Sequence, residues 1–210
     1  MSPLRPEISV RPLALSDTDG AGDMLGRAFA DNPGMVAVLA HLSRDDRHSV
    51  MPRIKRGFAR AAVRFGEAHG AWDQDRLVGA SLTYAPGQYP LSLRGFAAVA
   101  SGCVSPRLLP AALRFLHINA WMEKRHEKAP HFYLMVLGVE PAMQGRGVGG
   151  ALLRELSARA DAAKVPCWLE TDKEENVPIY QRHGYRVVDD AVLPRLGGLR
   201  MWTMRRPAPG

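Results

Sequence analysis

The sequence predicts an α/β (α+β) fold, a mixed sheet with helices on its faces. Three observations lead there. Residues His131–Val139 form a nearly continuous apolar run, as expected of a buried central strand. A glycine-rich turn, Gln144–Gly149, follows that run and opens a helical stretch. Strand and helix signals alternate along the chain in the order β-α-α-β-β-α-β-α-β-α-β-β.

Ile8 to Val10 alternates as a short strand ended by Pro12, and Ser16 or Asp17 is a good N-cap for a helix running to about Ala30. Asp31-Asn32-Pro33-Gly34 stops it. A second helical pattern covers Met51 to His69, with Ile54, Phe58, Ala61, Ala62 and Phe65 on one side. Arg53, Arg56, Arg60 and Arg64 lie on the other, the usual composition of a solvated face. Gly70–Trp72 and Leu77–Tyr84 read as strands joined by the turn Asp73-Gln74-Asp75-Arg76. Residues Ala85 to Pro106 read as a loop plus a short helix, and Leu108 to Lys128 as a longer one. After the His131–Val139 strand come a helix from Gly147 to Ala163 and a strand from Pro166 to Thr171. A short helix from Val177 to His183 and strands at Tyr185–Asp189 and Leu199–Arg205 complete the order.

A chain of 210 residues, 46% apolar and 23% charged, is long enough to bury a core without staples. Cys103 and Cys167 form no disulfide framework and no CxxC pair, and no histidine spacing suits a metal. No window reaches the roughly 18 uninterrupted apolar residues of a membrane span, and the N-terminus lacks a leader's apolar stretch. A cytoplasmic protein, without membrane or nucleic-acid partners, is the expectation. A net charge of +7 suits an anionic ligand, and a cofactor carrying several phosphates is one.

The segment Val139-Glu-Pro-Ala-Met-Gln144-Gly145-Arg146-Gly147-Val148-Gly149 carries the chemistry. Such a turn exposes backbone N–H groups at the positive end of a helix dipole, which favours phosphate. Glycines let the ligand approach the backbone closely. A P-loop would end in Gly-Lys-Ser/Thr, which this loop lacks. The dinucleotide fingerprint GxGxxG matches Gly145–Gly150 literally, and Glu170 stands where a ribose would be held. Against that reading, five residues separate the strand from the first glycine, and only 60 residues follow Gly150.

The strand, the turn and the downstream run Leu169-Glu170-Thr171 … Asn176-Val-Pro-Ile-Tyr180-Gln-Arg-His-Gly184-Tyr185 resemble the GNAT superfamily of N-acetyltransferases, nearest to its puromycin acetyltransferase-like branch. The resemblance implies one GNAT-like domain over residues 1–210, with a mostly antiparallel sheet of six to seven strands splayed at the cofactor cleft. It also implies acetyl-CoA as acetyl donor, held by Leu137, Gly138, Val139, Gln144, Gly145, Arg146, Gly147, Val148, Gly149, Asn176 and Tyr180. Gly138 is the expected site of the bulge that opens the cleft. Tyr180 is the expected proton donor to the leaving thiolate, a phenol matching a thiolate of comparable basicity. Glu170 is the first choice of base, ahead of His131 and Glu123.

The acceptor side is expected from Phe29–Met35 and the Tyr84–Trp121 segment, where Tyr84, Tyr89, Phe96 and Trp121 suggest a partly apolar pocket for a small-molecule amine. A monomer or homodimer is expected, with no metal. The competing classes are a non-catalytic acyl-CoA sensor and a dinucleotide-binding protein. Asp172-Lys173-Glu174-Glu175 departs from the family's pattern before Asn176, either shaping the cleft mouth for cationic acceptors or standing in solvent.

Overall fold

In the computed structural model, which describes residues 8–210, seven strands form one sheet. The sequence expectations that begin at residue 1, for the leader and for the domain's start, fall partly on residues 1–7 and lie outside the described residues. The strands are β1 (Ile8–Pro12), β2 (Glu67–Asp73), β3 (Arg76–Tyr84), β4 (Phe132–Val139), β5 (Cys167–Thr171), β6 (Arg186–Leu193) and β7 (Leu199–Arg206). Their order is β1-β2-β3-β4-β5-β7-β6. Every neighbouring pair is antiparallel except β4–β5, which is parallel. The sheet is therefore mixed and mostly antiparallel, as expected.

Helices α1 (Thr18–Phe29), α2 (Pro33–Val38) and α3 (Arg44–Phe65) precede β2. Helices α4 (Leu93–Ser101) and α5 (Leu109–Arg125) lie between β3 and β4; α6 (Val148–Ala162) and α7 (Val177–Arg182) flank β5. Asn32-Pro33 does not simply stop a helix; it starts one. The Asn32 side chain accepts the Met35 N–H and Pro33 occupies the first turn, where its missing N–H costs nothing. Helix α3 begins seven residues before the expected Met51 because Ser43 caps it, accepting the Asp46 N–H at 3.1 Å. It ends at Phe65, and Glu67 to His69, read from sequence as its last turn, belong to β2.

The arginine face of α3 is not simply solvated. Arg56 meets Asp19 and Asp23, and Arg60 meets Asp19, so α1's acids line up along it. Beneath, Met24 and Leu25 of α1 and Ala59 and Ala62 of α3 pack on Leu82 and Val136 of the sheet. The opposite face is covered by α6, whose Leu153 and Leu156 pack with Leu134, Leu169 and Met204. No single helix among the described residues is long and apolar enough to cross a membrane; α4 and α5 are apolar together but meet at a bend of 109°.

Candidate active site

Strands β4 and β5 run together for only three residue pairs: Phe132 with Cys167, Tyr133 with Trp168, and Leu134 with Leu169. Beyond Leu134 they part, while β4 stays paired to β3 as far as Val139. The bulge lies at Met135, not at the expected Gly138: Leu82 pairs Val136 and Thr83 pairs Leu134, leaving Met135 as the extra residue. Gly138 has a different reason to be glycine. A Cβ there would collide with Leu25 and come within 2.9 Å of the Phe29 ring, so its absence lets α1 lie across β4. Arg27 fixes the helix there through three contacts to the buried carboxylate of Glu140.

The parted strands open a cavity of about 610 Å³. Leu137, Gly138 and Val139 form one wall, Asn176 and Tyr180 the other, and Gln144, Gly145, Gly147, Val148 and Gly149 close one end. Gly145 (φ +75°) and Gly147 (φ +86°) take the left-handed backbone that glycine permits, and Gly147 caps α6. A Cβ on either would meet no protein atom within 4 Å, so the turn borders open space. The first N–H groups of α6 have no partner within the helix, and their residues Val148, Gly149 and Gly150 line that space. Gln144 Nε2 donates to the Val139 carbonyl at 3.3 Å, tying the turn to the strand end.

Arg146 stands exposed and is not among the residues that line the cavity. The cations that do line it are Lys173, Arg182 and, when protonated, His183. Burial and the charges of Arg154 and Arg182 lower the His183 pKa. Sequence reasoning missed these three; Arg182 and His183 sit inside the Tyr180–Gly184 motif, and only α7's orientation reveals which way they face. Asn176 does not cap α7 with its side chain; its Nδ2 reaches Thr171 Oγ1 at 3.3 Å. Tyr180 is 7% exposed and edges onto Tyr185, and burial raises its pKa, keeping the phenol protonated.

A second, smaller cavity of about 170 Å³ lies beyond Phe29 and Asn32, which line both. Glu170 opens into this one rather than into the Tyr180 cavity. Its carboxylate accepts from Tyr133 OH and Trp168 Nε1, each at 2.8 Å. Burial pushes its pKa up to about 7, with the two hydrogen bonds pulling the other way. Tyr89, Phe115, Met35 and Lys55 also line this cavity. Of the other expected acceptor aromatics, Tyr84 is fully buried in the core, Phe96 is exposed, and Trp121 packs in the α5 cluster. His131, 8% exposed, is enclosed with its Nε2 2.9 Å from His126 Nε2, and neither it nor Glu123 lines either cavity.

Asp172 is half-buried and lines the small cavity. It accepts from Asn32 Nδ2 at 2.8 Å and from the Gly34 N–H at 2.5 Å, locking the end of β5 to the start of α2. Lys173 and Glu175 line the large cavity.

Residues 112–187 match a family model described as an acetyltransferase (GNAT) domain. That segment is similar to the GNAT acetyltransferase family. Over 71 residues it is 39% identical to the N-alpha-acetyltransferase RimI of Mycobacterium tuberculosis, a match covering 33% of this chain and 45% of that relative's length. The GNAT fold extends across the chain. A structure described as histone acetyltransferase HPA2 and related acetyltransferase from Corynebacterium glutamicum superposes with a TM-score of 0.68 at 21% identity, covering 97% of each chain. The PaiA N-acetyltransferase of Thermoplasma acidophilum, in complex with coenzyme A, superposes with a TM-score of 0.56 at 14% identity over 96% of this chain and 99% of that one.

The fold thus gathers the expected turn, strand and helix residues, Arg146 excepted, around one cavity and sets Glu170 in a neighbouring one. The partition between the two is made by the end of α1, which no local motif announced.

Proposed function

We propose that this chain transfers the acetyl group of acetyl-CoA to a primary amine, that of a small molecule. The observation that carries the proposal is the parting of β4 from β5, which sets a cavity closed by an anion-ready turn beside one holding a buried carboxylate. The open turn at Gly145–Gly149 fits a pyrophosphate, with Arg182 and Lys173 adding charge. Backbone groups of Leu137 and the N–H of Val139, which β5 leaves unpaired, are available to the pantetheine arm as a partner strand, while the Val139 carbonyl is engaged by Gln144.

The amine nitrogen forms its bond to the thioester carbonyl carbon as the carbon–sulfur bond breaks. Glu170 takes the proton the amine must lose, since a carboxylate with a pKa of about 7 is half ionised at neutral pH. Tyr180, kept protonated by burial, gives its proton to the departing sulfur. A cavity of about 170 Å³ supports a small acceptor. The likeness to an N-alpha-acetyltransferase supports a second reading, a protein N-terminus as acceptor.

The test is free-thiol release from acetyl-CoA with a panel of small amines and of peptides with free N-termini. Release with small amines supports the first reading, and release with peptides alone supports the second. Binding of acetyl-CoA without release in any reaction overturns both and leaves a sensor.

A matched pair of variants tests the donor site. Gly147→Ala places a methyl group over the turn in a left-handed backbone, and Gly197→Ala does the same at φ +69°, outside both cavities. Both should lose stability by about 1 kcal/mol, a few degrees in Tm. Only Gly147→Ala should weaken acetyl-CoA binding in calorimetry, by about tenfold or more. Equal affinities in the two variants would remove the turn from the site.

A further inference from the structure

Lys55 is the cation of the small cavity, and the reaction above does not use it. It is 5% exposed, on α3, in a helix face that otherwise buries Met51, Ile54 and Ala62. Its Nζ lies 3.7 Å from the centroid of the Phe29 ring and 5.5 Å from that of Phe58. Among the described residues, no hydrogen bond or ion pair reaches that nitrogen. Asp172 acts on it only through space, because both its oxygens are engaged by Asn32 and Gly34.

Buried ammonium groups are ordinarily paired, because the lost hydration has to be replaced. Stacking on Phe29 replaces part of it, but an aromatic face accepts no hydrogen bond of ordinary strength. An ammonium with three donors, held at the wall of a cavity without a protein acceptor, is arranged to meet an acceptor on a ligand. Glu170 lines the same cavity and carries the opposite charge. The rest of the lining is largely apolar, including Met35, Phe115 and Ile118; of its polar members, Asn119 and Thr171 are neutral and the Asp172 carboxylate is already held by Asn32 and Gly34.

We infer that the acceptor is a free amino acid with an apolar side chain, its amine taken by Glu170 and its carboxylate received by Lys55. The inference rests on the proposed acetyl transfer and names the substrate class. A cavity of about 170 Å³ agrees with it, being near the size that admits a single aromatic ring, about 150 Å³. Lys55 is then the residue that separates amino acids from simple amines and from peptide N-termini, which present a neutral carbonyl instead of a carboxylate.

The experiment compares three acceptors that differ only at that group: methionine, methioninamide and 3-(methylthio)propylamine. Each is assayed by thiol release at saturating acetyl-CoA, on the wild-type chain and on Lys55→Met and Lys55→Gln. In the wild type, kcat/KM for methionine should exceed that of both analogues by about tenfold or more, the value of a charge-assisted hydrogen bond. In both variants that ratio should fall to about one, through a rise in KM for methionine. Because the three acceptors are measured on the same protein preparation, a change in folded fraction cancels from the ratio. A wild-type ratio of one or below overturns the inference, as does a ratio that survives in both variants. Acetylation of peptides with none of the three overturns it but leaves the acetyl transfer standing. Absence of thiol release with every amine and peptide removes the proposed function and this inference together.

Discussion

Glu170→Gln is expected to lower kcat for amine acetylation by about 10²- to 10⁴-fold, the range for loss of a positioned general base. That corresponds to roughly 3 to 5 kcal/mol of transition-state stabilisation. Glutamine keeps the shape: its amide oxygen can accept from Trp168 while its NH2 donates to the Tyr133 hydroxyl oxygen, so the fold and acetyl-CoA binding should survive. The pH profile gives the more specific signature. Burial raises the Glu170 pKa to about 7, so wild-type kcat/KM should climb through pH 7 as the carboxylate loses its proton. A simple primary amine itself titrates near pH 10, about three units higher. The limb at 7 therefore belongs to the enzyme and should vanish in the variant. An unchanged limb would show that water or the amine itself handles the proton.

Tyr180→Phe should produce the second large loss, again about 10²-fold or more in kcat, with KM for acetyl-CoA little altered. The ring is buried and packs edge-on to Tyr185, so phenylalanine preserves the packing and removes only the hydroxyl. A leaving thiolate then departs unprotonated. Thioester analogues whose thiol is more acidic should recover much of the lost rate in the variant and gain little in the wild type. Undiminished turnover by Tyr180→Phe would take the phenol out of this role.

The parts of this site built from contiguous sequence were legible, and those built across the fold were not. The apolar run of β4, the glycines of the turn and the Asn176–Tyr180 helix each carry their signal within a few residues. Glu170 could be named from its strand, but its two hydrogen-bond donors could not be assigned. Tyr133 lies 37 residues away, and only the parallel pairing of β4 with β5 brings its hydroxyl to the carboxylate. Gly138 was read as a bulge because a glycine in a strand often marks one; the competing cause, close approach of a helix, leaves the same trace. Asn32-Pro33 carried both a stop and a start signal, and α2 was lost to the first. Lys55 stands between Arg53 and Arg56 in sequence, but helical spacing sets it beside Met51, Phe58 and Ala62 on the buried side of α3; its place against Phe29 of α1 is what the local pattern does not show.

The three-residue seam between β4 and β5 has a consequence for which donors can be used. A pantetheine arm that takes the place of the missing strand is held by backbone groups spaced along β4, and its far end is pinned at the turn. Its thioester then falls at one position along the gap, fixed by the number of bonds between phosphate and sulfur. The opening works as a ruler. Lengthening or shortening the arm shifts the carbonyl relative to Tyr180 and Glu170, however well the nucleotide end is bound. In the proposed reaction, donors are thus selected by length in one cavity and acceptors by charge and shape in the other, the two separated by the end of α1.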